Sequence, residues 1–243
     1  MASRRRRVAH SQAPNPAAPP EARVPPLTFA SEDDYQKVRA LLMDGSEVSE
    51  AKDAGLMTGA PSSSSSNISN STTAVTQFLP RLPLEIAEHI MDQAQYWPAI
   101  SNINPNEVQG QNNADLRYLS VIVPRSTMDE AKTHVKAITL CCDSHDQGWG
   151  GDFNLRGSYQ ACWSWFDLVV LDEDKNERFR RERILINRHA TGSFEHKTAR
   201  LVCDTDKDLR SIREGWEVAV SLRCMYPGWT NTSRFGQLAV SYV

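Results

Sequence analysis

The spacing of apolar residues changes once along this chain, from about 3.6 to 2. Behind Pro83, the residues Ile86, Ile90, Met91 and Ala94 form one stripe at helical spacing, with Leu84 at its start and Trp97-Pro98 closing it. Beyond residue 115 the alternation is two-residue, in segments 116–123, 135–141, 159–171, 183–187, 199–203, 216–224 and 235–243. Such short strands separated by turn-rich segments predict a mainly β fold, an antiparallel β-sandwich or jelly roll with one N-terminal helix packed on it. Alternation is cleanest at Trp216, Val218, Val220, Leu222 and Cys224, which should share the core face. Only 206–213 looks helical among the strands. Segment 172–183 carries five acids and five bases and reads as a solvated hairpin tip.

The chain before the helix has no such pattern. Proline and alanine dominate 13–26, and serine, threonine and asparagine dominate 61–76; neither composition buries enough apolar area to offset the entropy of ordering. Residues 1–77 are therefore expected to be a disordered arm, and 78–243 a helix-plus-sandwich domain. Within the arm, Ser31 followed by Glu32, Asp33 and Asp34 resembles a helix N-cap, with Tyr35, Val38, Leu41 and Leu42 at helical spacing up to Gly45. An isolated helix of that length is marginal in water, so a transient one is expected.

Charge and cysteine content narrow the classes. The net charge of -3 hides five arginines against one acid in 1–30 and seven acids against three bases in 31–60. A slightly acidic domain argues against nucleic-acid binding. No stretch approaches the ~20 apolar residues of a membrane-spanning helix, and no apolar run follows the arginines at 4–7 as in a secretory signal. The expectation is a protein of the cytoplasm or nucleus with no membrane partner. Five cysteines lack metal-ligand or disulfide spacing and read as buried thiols. No nucleophile elbow, zinc-protease pair or phosphate-binding loop occurs, so neither catalysis nor a metal or other cofactor is implied.

Two loops carry candidate binding chemistry. Ser144 to Gly151 sets His145, Asp146, Gln147 and Trp149 among three glycines, and Tyr226, Trp229 and Asn231 surround a Pro-Gly turn. Were both to leave the sandwich at one end, Trp165 could form the floor of a shared aromatic cleft. The competing reading is that the tryptophans plug the open core and that the His145-Asp146 pair ties a turn to backbone amides.

Leu82-Pro83-Leu84-Glu85-Ile86 with Ile90 resembles the opening helix of an F-box, the module that docks proteins on ubiquitin-ligase scaffolds. Together with Ser144-His145-Asp146-Gln147-Gly148-Trp149, residues 163–166 and Tyr226-Pro227-Gly228-Trp229, the chain over about 80–243 resembles a group of uncharacterised fungal proteins. The resemblance implies no assigned chemistry. It leaves a noncatalytic recognition or adaptor module, with a carbohydrate or small-ligand domain like the galactose-binding sandwiches as the alternative, and a protein or small molecule as the unidentified partner.

Overall fold

The computed structural model describes residues 25–44, 81–126, 132–151, 153–203 and 206–243. Among the described residues, nine strands form two antiparallel sheets. They are β1 (Ala99–Asn104), β2 (Val108–Gln111), β3 (Asp115–Ile122), β4 (Val135–Asp146), β5 (Ser164–Leu171), β6 (Glu177–Ile186), β7 (Glu195–Val202), β8 (Glu217–Cys224) and β9 (Thr230–Tyr242). The first sheet runs β1-β9-β4-β7, with β2 also on β9; the second runs β3-β8-β5-β6. The expected β-sandwich is what forms.

Register explains the core. Phe166 lies opposite Leu222, Leu168 opposite Val220 and Val170 opposite Val218. Ile138 faces Val240 and Leu140 faces Leu238 in the other sheet. Alternate residues of each strand thus meet between the sheets, and all ten are at most 1% exposed. Trp216 packs partly buried against them.

Three expectations change. Two-residue alternation is expected only beyond residue 115, yet β1 and β2 already form before it, because β9 supplies the ladder that their own apolar content does not demand. The charged 172–183 segment is mostly strand β6; only a tight turn at 172–176 lies outside it, with Asp172 Oδ1 accepting from the Asn176 amide at 2.9 Å. Segment 159–171 becomes strand only from Ser164.

The helices α1 (Glu32–Asp44) and α2 (Leu84–Gln93) pack together beside the first sheet. The cap at Ser31 forms as read: its Oγ accepts the Asp34 amide at 3.1 Å while donating to the Asp34 carboxylate at 2.7 Å. Residues 25–44 are not a loose helix, however. Leu27 exchanges two hydrogen bonds with the Gln237 side chain, Ala99 donates to Ala30, and Arg39 pairs with Glu88 at 3.0 Å. The rest of the expected arm, 1–24 and 45–77, lies outside the described residues. In α2 the buried residues are Ala87 and Met91, while Ile86 and Ile90 stay 47% and 43% exposed. Met91 of the expected stripe is buried, but its partner one turn back is Ala87 and not Ile86 or Ile90. Lys136 of β4 pairs with Asp92 at 2.6 Å and Trp97 donates to the same carboxylate, which holds α2 in place.

Candidate recognition site at the loop end of the sandwich

Strand β4 ends at Asp146, opposite Asn231 of β9, so both candidate loops leave the first sheet side by side. Asp146 is fully buried. Its Oδ1 accepts the Gly148 and Thr191 amides at 2.9 and 2.8 Å, and its Oδ2 accepts the Ala190 amide at 2.6 Å. One carboxylate therefore ties the β4–β5 loop to the β6–β7 loop. Burial pushes its pKa up, against the pull of those three amides. Asn231 is equally inward: Nδ2 donates to the carbonyls of Trp165 and Arg223 at 2.8 and 3.0 Å, and Oδ1 accepts from Asn187 at 2.8 Å.

Asn187 extends this into a buried polar plug. Its Oδ1 accepts from Ser144 Oγ at 2.8 Å and from Lys197 Nζ at 3.0 Å, while Nδ2 also donates to Ser164 Oγ. Lys197 further donates to the Ser144 carbonyl at 2.7 Å, and burial holds its ammonium below the usual lysine pKa. Asp146 and Asn231 were candidates for directing a ligand; the structure gives their hydrogen bonds to the protein itself.

The aromatic candidates separate. Trp165 is no cleft floor: it is 4% exposed on the outer face of the second sheet, Nε1 bonded to Asp167 at 2.6 Å, with guanidinium carbons of Arg183 and Arg223 at 4.5 and 5.8 Å from its ring. Period two already requires this, since Phe166 and Leu168 face inward. Tyr226 stands edge-on to Trp163 at 5.0 Å. Trp229 is half-buried against His189, ring centres 5.6 Å apart. His145 rests edge-on to Phe194 at 4.5 Å, its Nδ1 bonded to the Asp146 carbonyl. Gln147 donates to the Trp149 carbonyl at 2.6 Å. Trp149 itself is 62% exposed, and its ring edge reaches Gly228, where a Cβ would stand 3.1 Å away. The two loops do meet, at that contact.

Residues not singled out from the sequence complete the surface. Phe153 is 82% exposed, and Tyr159 also projects into solvent. Between Trp149 and Phe153 lies a cleft of about 150 Å³, bounded by Gly148, Gly150, Arg156 and Ala190. Beneath Gly150 sits buried His189, its Nδ1 donating to the Ala161 carbonyl at 3.1 Å; any side chain at Gly150 would strike the ring. The sequence signal was the glycine-spaced Trp149 and the aromatic content of 153–159, but His189 is joined to it only by the fold. A larger groove, about 820 Å³, lies between α1, α2 and β4, and it borders residues outside the described set.

No family model matches the chain. Nor does any curated protein. Among solved structures, that of infectious bursal disease virus Gx strain aligns at a TM-score of 0.35 and 10% identity, over 59% of this chain and 32% of that one. The chain thus spans about a third of the length of that protein, and so loose a likeness carries no argument about function.

Chemically, the end offers contact area and the exposed Arg156 guanidinium more than it offers reactivity. Burial raises the thiols of Cys141, Cys162 and Cys224, and pushes Cys142 up to about 12, away from the thiolate that a nucleophile requires. Among the described residues no group of three histidine, cysteine or acidic side chains is placed to hold a metal, and no helix is long and apolar enough to cross a membrane.

Proposed function

We propose that this chain is a noncatalytic recognition module of the cell interior that captures a protein partner with the aromatic loops at one end of its sandwich. The observation that carries this reading is the exposure of Trp149, Phe153 and Tyr159 together, on a loop whose base is fastened by Asp146. Large exposed aromatic rings on a braced loop favour an interaction surface. A carbohydrate site is less well supported, because a sugar needs directed polar groups, and Asp146 and Asn231 are occupied internally.

The Trp149→Ala/Phe153→Ala double variant should keep its melting temperature, since exposed substitutions change stability by only about 0.5 kcal/mol each. Immobilised full-length chain should lose with this variant the partners that the parent retains from cell extract. A double variant that melts far lower would show that these rings plug the core.

A second reading, the F-box-like adaptor, is favoured by one feature: Ile86 and Ile90 of α2 face solvent. Ile90→Asp should leave the urea midpoint nearly unchanged, because Met91 and Ala87 anchor the helix. Loss of a ligase scaffold on co-precipitation with that variant would favour the adaptor; retained loop-dependent capture would favour the aromatic end.

A further inference from the structure

We propose that the cleft between Trp149 and Phe153 takes one apolar side chain of an extended partner segment, and that Arg156 takes an acidic side chain next to it. The inference rests on the recognition reading above and gives its partner a chemistry.

Size sets the first half. A cleft of about 150 Å³ is a single-residue volume, since an apolar cavity of about that volume accommodates a benzene-sized group. Two aromatic rings form its walls, and Gly148 and Gly150 leave the ground between them bare, so an incoming chain can come close to the backbone. Gly148 holds φ at +80°, and a Cβ there would stand 3.1 Å from the Gly192 backbone; Gly150 is pressed on His189. Both positions are kept free of side chains by what lies behind them, so the opening persists without a ligand.

Charge sets the second half. Arg156 lines the cleft and is exposed, and no carboxylate among the described residues pairs with it. The next cation, Arg188, differs: it lies over Tyr159 at 5.7 Å and pairs with Glu195 at 3.5 Å. Asp146, at the base of this loop, is sealed by three amides and turned inward. Among the described residues, an apolar group entering here therefore meets the unpaired Arg156 guanidinium at its rim, and a neighbouring carboxylate would meet it in a charge-assisted hydrogen bond.

Panning the full-length chain against a random twelve-residue peptide library, displayed with no free C-terminus, tests this. Enriched sequences should pair Leu, Ile, Phe or Trp with Asp or Glu within two positions. For a synthetic enriched peptide, replacing its acid by the amide should weaken binding roughly tenfold, as should Arg156→Ala, and the two changes together should cost no more than either alone. Trp149→Ala should weaken both the acidic and the amide peptide. Enrichment of basic or uncharged peptides that need Trp149 but ignore Arg156→Ala would overturn the inference and leave the recognition reading standing. Enrichment of nothing, or of peptides indifferent to Trp149→Ala, would overturn both.

Discussion

Replacing Asp146 by alanine should destabilise the domain by about 3–5 kcal/mol, the range for removing one partner of a buried charged network. The carboxylate is fully buried and receives three backbone amides, from Gly148, Ala190 and Thr191. Alanine leaves all three donors unpaired in a space with little access for water, and each orphaned amide costs about 1–3 kcal/mol. Asparagine is the informative control. Its single carbonyl oxygen can serve the two amides now on Oδ1, but its NH₂ then points at the Ala190 amide, so Asp146→Asn should cost less than alanine and still more than a surface change. Urea denaturation gives both values. Because Asp146 fastens the loop that carries Trp149, the Asn variant should also broaden the indole resonance of Trp149 while the core resonances stay put. A variant as stable as the parent would mean that the loops are held by other contacts.

That carboxylate shows where sequence reading stops. The alternation of Val218, Val220 and Leu222 was legible because alternate residues of a strand point the same way and these three point between the sheets, and the Ser31 cap was legible because capping is local. Strands β1 and β2 were not, since Ser101, Asn102 and Ile103 are exposed and only pairing with β9 makes them strands. The part of strand β6 before residue 183 was hidden for another reason. The outer face of its sheet is filled by ion pairs, with Arg180 bound to both Asp115 and Asp167, so its apolar signal is absent. In α2, the pairs Ile86/Ile90 and Ala87/Met91 both have four-residue spacing, and periodicity alone cannot choose between faces one residue apart. At the site, the meeting of the two loops was foreseeable from strand ends, but the inward turn of Asp146 and Asn231 depends on Asn187, Ala190 and Thr191, more than 40 residues from one of them or the other. The docking of Leu27 on Gln237 spans 210 residues, and no local pattern announces it.

Stability should fall as pH rises above 9. Four buried thiols, Cys141, Cys142, Cys162 and Cys224, have their pKa values raised by burial from the ordinary 9.0, with Cys142 pushed up to about 12. Above pH 9.0 the unfolded chain releases these protons while the folded chain keeps them, so the native state binds more protons and unfolding becomes easier as pH rises. Lys197 opposes this: burial lowers its pKa from 10.5, so between the lowered value and 10.5 the unfolded chain holds a proton that the native state has released. Cys142, raised from 9.0 to about 12, keeps about one proton more in the native state than in the unfolded chain over that window, a slope of roughly 1.4 kcal/mol per pH unit, and the other three thiols act in the same direction while Lys197 acts against them. Against a typical total of about 5–15 kcal/mol, a loss of that size per pH unit is readily measured. Tyr118, raised by burial and hydrogen-bonded to Ser233 at 3.0 Å, adds to the loss above pH 10. Urea midpoints measured under reducing conditions from pH 8 to 10.5 should trace this decline. Cys142→Ala should lower the neutral-pH stability slightly and flatten the alkaline slope by about 1.4 kcal/mol per pH unit, whereas Lys197→Met should steepen it. A midpoint independent of pH across that range would mean that the thiols ionise as freely in the native state as in the unfolded chain, against their burial between the sheets and at the strand ends.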